Sequence, residues 1–329
     1  MNVSFDGVLG QEHIIKRFES AIKRGRLAHG FIFAGPRGSG KTTLALALAR
    51  RLLCNGKNEP GCDCSQCAKL AMDENGIVSH GDVHILAPDV QTIRVELIRK
   101  ELIDRVPFRP VEGKYKFFIM QEAERMVPAA SNAFLKTLEE PPTNTIIILE
   151  SRRPELFLDT IHSRCQMVRL APLDEETFIS ELRSREEAVN TESARFLWRF
   201  TGGALGEALR LTAEEWLTKG DEFINLLDPE NCEDPFEFAE TYARKTKRGT
   251  LEEQRGIISI LLDFAIERLR LRLRDLCKSK DAHAEADVEK VEDALSRLFH
   301  AKELIRSNVR VESALERLAR RFPAHVGRK

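Results

Sequence analysis

Residues 31–43 run Phe31-Ile32-Phe33-Ala34-Gly35-Pro36-Arg37-Gly38-Ser39-Gly40-Lys41-Thr42-Thr43, four apolar residues followed by a turn with three glycines, a lysine and two threonines. The apolar run has the length of a buried strand, and the Ala/Leu-rich stretch from about Lys41 to Leu53 has the composition of a helix. Gly35 to Thr42 fits the phosphate-loop spacing between strand and helix, the setting in which that spacing is credible. Each residue type has a physical reason. Glycines let backbone N–H groups turn inward around phosphate oxygens, and the helix N-terminus adds its positive end. Lys41 supplies a point charge to the β and γ phosphates, and the Thr42 hydroxyl can sit on Mg²⁺. Gly35, Pro36, Arg37, Gly38, Ser39, Gly40, Lys41, Thr42 and Thr43 are therefore the candidate nucleotide-binding residues. The competing reading is a glycine-rich turn with a chance lysine.

Outward from this loop the chain alternates. Val83 to Leu86, Phe117 to Met120 and Ile146 to Leu149 are short apolar runs of the kind shown by parallel strands buried on both faces. Ile93 to Val106 has helical spacing, with Ile93, Leu97, Ile98 and Leu102 on one side. Strands alternating with helices up to about Leu170 predict a doubly wound α/β domain with a parallel sheet. After Pro172 only helical periods remain, in Glu175 to Arg185, Ser193 to Thr201, Gly206 to Leu211 and longer stretches from Trp216 to Phe322, with breaks at Gly202-Gly203 and Asp228-Pro229.

Composition narrows the function classes. The 329 residues are 42% hydrophobic and 31% charged, as expected of a chain that folds throughout. Fifty-one basic residues against 52 acidic leave a net charge of -1, so no global field draws in nucleic acid and any such contact is local. Met1 to Gly10 has no basic region leading into an apolar run, and no apolar stretch approaches the ~18 residues of a membrane span. The expectation is a soluble cytoplasmic protein.

Two further features carry chemistry. Nucleotide hydrolysis needs a second acidic site, an Asp and then a Glu at the end of a neighbouring strand, to hold the metal and polarise water. Here Gln121-Glu122 follows Met120, so the first position is a neutral amide; Glu122 is a degenerate candidate, and Glu122 and Glu124 also fit solvated helix-start residues. Four of the seven cysteines, Cys54, Cys62, Cys64 and Cys67, fall within fourteen residues and suit a tetrahedral Zn²⁺. The alternative is a set of unligated thiols, because the Cys62-x-Cys64 gap is tighter than usual. His80 and His84 are read as loop residues outside the set. Cys165, Cys232 and Cys277 are isolated and expected in the interior.

In chain order, Gly10-Gln11, Gly25-Arg26-Leu27-Ala28-His29, the phosphate loop, the four cysteines, Asn132 to Pro142 (with Leu138-Glu139-Glu140-Pro141-Pro142) and Ser163-Arg164-Cys165 occur over about residues 8–172. That order resembles the bacterial clamp-loader AAA+ subunits of DNA polymerase III. The resemblance implies an AAA+ phosphate-loop domain over 1–171 with a zinc module at 54–67, a helical lid over 172–215 and an all-α collar over 216–329 that forms the ring. It implies partners: gamma/tau and delta subunits in a hetero-oligomeric ring, and through the complex the sliding clamp and primer-template DNA. It also implies that Arg164 acts as an arginine finger on the neighbouring subunit's nucleotide. A local ion pair is the alternative role for Arg164.

Motor members of the family resemble one another in an Asp-Glu pair after the strand, a polar sensor such as threonine after the next, and a lid arginine. This chain has Gln121, then Glu150-Ser151, then Gly203-Ala204-Leu205-Gly206-Glu207 with glycine at the arginine position. The resemblance thus implies ATP or ADP binding with Mg²⁺ and weak or absent intrinsic turnover, within a complex that as a whole is a DNA-directed polymerase. The alternatives are an active motor-type ATPase, a zinc-dependent DNA-binding module using Arg268, Arg270, Arg272 and Arg274 on what reads as a short helix, and, last, a phosphate-loop kinase.

Overall fold

A computed structural model of the chain describes residues 5, 7–59, 61–73, 77–87, 92–232, 234–247, 250–278 and 284–324. Residues 1–4 and 6 of the amino-terminal stretch read above, and 325–329 at the other end, lie outside it. The chain forms two compact units, up to Leu209 and from Arg210.

The first unit is built on five parallel strands, β1 (Gly30–Ala34), β2 (Val83–Leu86), β3 (Lys116–Met120), β4 (Thr145–Ser151) and β5 (Gln166–Arg169), in the spatial order β2-β3-β4-β1-β5. Its helices are α1 (Glu12–Lys23), α2 (Lys41–Leu53), α3 (Ser65–Lys69), α4 (Val95–Ile98), α5 (Pro128–Glu139), α6 (Asp159–His162), α7 (Glu175–Arg185) and α8 (Thr191–Thr201), and the division from the second unit falls within α9 (Leu205–Ala213). Period-two alternation along the strands sorts their side chains into two cores. Phe31, Phe33, Phe117, Ile119, Ile146 and Ile148 pack with Ile14 and Phe18 of α1 and Leu44 and Leu48 of α2. Ile32, Phe118, Met120, Ile147 and Leu149 face the other way, onto Ile98, Phe134, Leu138 and Ile161. A sheet covered on both faces explains the continuous apolar runs, and each fully buried Phe or Ile stabilises the fold by about 1.5–3 kcal/mol.

Three elements differ from the expectation. β5 was not marked by any apolar run. The stretch expected as one helix over 93–106 is α-helical only over α4, then continues as a π turn over Arg99–Ile103, while Ile93 pairs in parallel with Met126. Residues 105–113 loop back, and there the buried carboxylate of Asp82 accepts three backbone N–H groups, from Val111 (2.6 Å), Glu112 (2.8 Å) and Gly113 (2.7 Å).

α7 and α8 are capped as their sequences direct. Asp174 accepts from the Thr177 N–H and Asn190 from the Ser193 N–H, and α8 stops at Gly202 in the left-handed region. Among the described residues of the second unit the regular elements are all helices: α10 (Trp216–Leu227), α11 (Pro235–Thr246), α12 (Leu251–Leu276), α13 (Ala284–Arg306) and α14 (Val311–Ala319). Thr250 and Glu253 form a capping box at the start of α12, and Gln254 donates across to the Ala243 carbonyl. The four arginines lie near the end of this 26-residue helix, not on a short one. Arg268 pairs with Asp221, and Arg270 lies over the Phe299 ring. Among the described residues no helix is long and apolar enough to cross a membrane.

Candidate nucleotide site and cysteine cluster

β1 ends at Ala34, and the chain turns through Gly38 and Gly40, both with positive φ, into α2 at Lys41. Arg37 to Thr43 line a cavity of about 470 Å³ closed by Gln121, Glu150, Arg152 and Gly206. That volume lies in the ordinary range of small-ligand pockets. Gln11 secures one wall. Its side chain donates to the Ala171 carbonyl at 2.8 Å and accepts from the Ala171 N–H at 3.0 Å.

Alternation along β3 and β4 places Gln121 and Glu150 on the α2 side of the sheet, pointing toward the first turn of that helix. Gln121 donates to the Thr42 hydroxyl at 3.2 Å, and that hydroxyl donates to a Glu150 carboxylate oxygen at 2.9 Å. The Lys41 ammonium donates to the loop carbonyls of Gly35 and Pro36, at 2.9 and 2.7 Å. Burial lowers the Lys41 pKa, partly offset by the carboxylates of Glu150 and Glu124. Burial pushes Glu150 up to about 7, against the Thr42 hydrogen bond and the Lys41 charge. Ser39 Oγ and Glu150 Oε1 are buried without hydrogen-bond partners, leaving polar capacity aimed at this site.

Glu122 has left-handed backbone, φ 47°, at a position where a non-glycine residue is strained. Its carboxylate is held by Arg125 and Arg152, each at 2.9 Å. Glu124 is not a solvated helix-start residue. Its side chain is only 3% exposed, and one oxygen accepts from the Arg152 N–H at 3.2 Å. At the start of α9 the Gly206 N–H donates to the Gly38 carbonyl at 2.9 Å. A β-carbon at Gly206 would lie 3.0 Å from that oxygen, and one at Gly38 only 2.0 Å from the Glu207 nitrogen. A side chain at 206 would press on the Gly38 backbone, which would have to give by a few tenths of an ångström.

The four cysteines come together between α2 and α3. Cys54 Sγ lies 3.7 Å from Cys62 Sγ and 3.8 Å from Cys64 Sγ, and all four sulfurs fall within 4.8 Å of one another. Four thiolates about 2.3 Å from a tetrahedral Zn²⁺ would stand about 3.8 Å apart, so the donor set fits the metal. His80 and His84 stand apart from the cluster; His80 lies in a loop as expected, but His84 does not. His80 is buried and bonded to Gln66 Oε1 at 2.5 Å, and His84 belongs to β2, stacked on Phe118. Of the isolated cysteines, Cys165 is buried, Cys232 half-buried and Cys277 exposed. The interior placement expected for Cys277 is therefore corrected; it caps the end of α12, where the helix surface is charged.

Arg164 is at the far end of the α5 and α6 layer. Its guanidinium bonds Glu139 Oε1 at 2.6 Å, the Thr160 carbonyl at 2.9 Å and Ser163 Oγ at 3.0 Å. The ion pair is local and about one-third to one-half exposed, so it is worth little on its own. Sequence reasoning placed Glu150-Ser151 at the sensor position but missed the contact of Glu150 with Thr42, and it missed Arg152 as part of the pocket. The available signal was a carboxylate placed in phase with Ile146 and Ile148 at the end of an apolar strand.

Fold and pocket together define a phosphate-loop α/β protein. The chain belongs to the family described as DNA polymerase III, delta subunit, whose model matches residues 10–174, half of its length. DNA polymerase III subunit delta' of Bacillus subtilis is 29% identical over 326 residues, 94% of each chain. Subunit tau of the same organism is 33% identical over 223 residues, 66% of this chain but 38% of its own length. The chain thus spans little more than a third of that tau relative, whereas the likeness to delta' is end to end. A gamma-subunit-related protein of Thermotoga maritima superposes at TM-score 0.47 with 20% identity, covering 92% of this chain and 97% of its own. The expectation of a clamp-loader subunit of DNA polymerase III, of delta' type with gamma/tau as the related type, holds.

Proposed function

We propose that this clamp-loader subunit binds ATP or ADP with Mg²⁺ but turns it over poorly, and that its Arg164 serves a nucleotide held by a neighbouring subunit. Lys41 and the N–H groups of the loop would hold the phosphates, and the Thr42 hydroxyl would meet the metal. A bound ATP supplies the phosphoanhydride bond. The observation that carries poor turnover is the double ion pair of Glu122 with Arg125 and Arg152. A carboxylate so held is a weak acceptor for a proton from water, and Gln121 beside it is neutral. Gly206 adds no charge where a lid arginine would reach the γ-phosphate.

In this reading residues 1–171 carry the nucleotide, 172–215 form the lid, and 216–329 form the collar that joins gamma/tau and delta subunits in a ring. The ring places the sliding clamp on primed DNA. Cys54, Cys62, Cys64 and Cys67 hold one structural Zn²⁺, which fixes a loop with few apolar residues of its own. Equilibrium titration with ADP tests the binding half: wild type should bind and Lys41→Ala should not. Turnover by the isolated chain near ~1 s⁻¹, abolished in Lys41→Ala, would show an enzyme in its own right and refute poor hydrolysis.

A further inference from the structure

The cavity beside α2 contains one acidic side chain that neither the loop pattern nor the comparisons assign. Glu150 is 3% exposed, on β4, where it pairs in register with Phe33 of β1, two residues before the phosphate loop begins. Because β4 lies between β1 and β3, a side chain at this position enters the site from the strand nearest the loop. One carboxylate oxygen accepts from the Thr42 hydroxyl; the other, Oε1, is buried, with no hydrogen-bond partner. Isolated buried carboxylate charge is costly, and an unpartnered buried acceptor is a standing penalty that a cation or its water would relieve. Gln121, at the position after β3 where phosphate-loop proteins place the metal-side aspartate, reaches the same hydroxyl but brings no charge.

We propose that Glu150 supplies the carboxylate for a divalent cation at this site, taking from β4 the place that an acidic residue after β3 would otherwise fill. The inference rests on the nucleotide-binding reading above. Thr42 is the common point: its hydroxyl oxygen is shared between the neutral amide on one side and the carboxylate on the other. The two strands have exchanged chemistry, amide on β3 and carboxylate on β4. Glu150 Oε1 then accepts from cation-bound water or meets the cation itself, while Gln121 steers the hydroxyl. The charge beside Thr42 is thereby retained although position 121 is neutral. The arrangement supports metal-dependent nucleotide affinity without providing the free base that Glu122 fails to supply.

The test uses Mn²⁺ as the cation and the full chain. Free Mn²⁺ is followed by its electron paramagnetic resonance signal in the presence of saturating ADP, and ADP affinity is measured separately in EDTA. Glu150→Gln should weaken Mn²⁺ binding roughly ten- to hundred-fold, the range for losing a supporting ligand. In EDTA it should bind ADP at least as tightly as wild type, since a carboxylate near the phosphates has been removed. Gln121→Asp added to Glu150→Gln should recover Mn²⁺ affinity. Equal Mn²⁺ affinity in wild type and Glu150→Gln, both binding ADP, overturns the assignment and leaves the nucleotide reading standing. Absence of ADP binding by wild type overturns both. If Glu150→Gln fails to bind ADP in EDTA because it does not fold, Glu150→Asp replaces it, withdrawing the charge by one methylene; weakened Mn²⁺ binding supports the assignment and unchanged binding overturns it.

Discussion

Replacing Cys64 by serine removes one corner of the sulfur tetrahedron while leaving the chain path intact, because Cys64 sits immediately before α3 and its side chain does not cap that helix. The spacings of 3.7 and 3.8 Å from Cys54 match the roughly 3.8 Å edge of a Zn–thiolate tetrahedron, so all four sulfurs should ligate. Structural zinc sites bind with about 10–16 kcal/mol at neutral pH, which divided among four thiolates is about 3 kcal/mol each. Loss of one therefore weakens zinc affinity by at least about a hundredfold. The loop around the site has little else to hold it. A β-carbon on Gly56 would already touch Cys62 Sγ at 2.9 Å, so the segment is wound tightly about the sulfurs, and of the four clustered cysteines only Cys67 is buried. Two assays check this. Mass spectrometry should find about one zinc per wild-type chain, and competition against a chromophoric chelator should show zinc held at least about a hundredfold more weakly by Cys64→Ser. Limited proteolysis should then cut the variant within residues 55–63. A Cys64→Ser chain that holds zinc as tightly as wild type would refute four-thiolate ligation.

Three further outcomes follow from particular contacts. Asp82→Ala leaves three partly buried N–H groups without their acceptor and should lower unfolding free energy by about 1–3 kcal/mol, read from urea denaturation; a loss under about 0.5 kcal/mol would mean that water replaces the carboxylate. Gly38→Ala forces a β-carbon onto the Glu207 backbone at positive φ, and should destabilise by more than about 1 kcal/mol and weaken ADP binding; unchanged binding would show that the segment at Gly206-Glu207 does not rest on the loop. Burial holds His84 below the usual histidine pKa of 6.5, with the charges of Lys116 and Arg105 acting in the same direction. The unfolded chain then binds more protons below about pH 6.5, so the His84 contribution to stability is full above that pH and is lost as pH falls. His84→Phe should show a smaller drop in melting temperature between pH 7.5 and 5.5 than wild type; identical drops would remove His84 as a cause.

Much of the first unit was legible because its strands are buried on both faces. Phe31 to Ala34, Val83 to Leu86, Phe117 to Met120 and Ile146 to Leu149 lie within β1 to β4, which extend them by at most two residues at either end. β5 was not legible. It pairs with β1 on one side only, Val168 is its one buried residue, and Gln166 and Arg169 face solvent, so no apolar run marks it. The loop and the cysteines announce themselves by local spacing, since their neighbours in space are also neighbours in sequence. Glu150 does not. Its meaning depends on β4 lying beside β1 and on a register that sets it opposite Phe33, and strand order is decided by long-range packing. The ion pair of Glu122 with Arg152 was hidden for the same reason, whereas a local ion pair of Arg164 was already an alternative in the sequence and the structure supplies its partner, Glu139. Cys277 was misplaced because isolation in sequence says nothing about which face of a long helix a residue occupies.

The most direct test of the account is ATP turnover by a reconstituted clamp-loader ring carrying this subunit with wild-type gamma/tau and delta partners on primed DNA. Arg164→Ala breaks a partly exposed pair with Glu139, so folding, zinc content and ADP binding by the isolated chain should be unchanged. A finger supplied in trans can contribute roughly 10³–10⁵ in rate, and a ring in which several sites share the load shows less. The account predicts normal assembly with DNA-stimulated ATPase reduced at least tenfold, and little rescue by Arg164→Lys, which lacks the planar fork. Rings with Arg164→Ala that assemble normally and hydrolyse ATP at the wild-type rate would contradict it, leaving Arg164 as a local partner of Glu139.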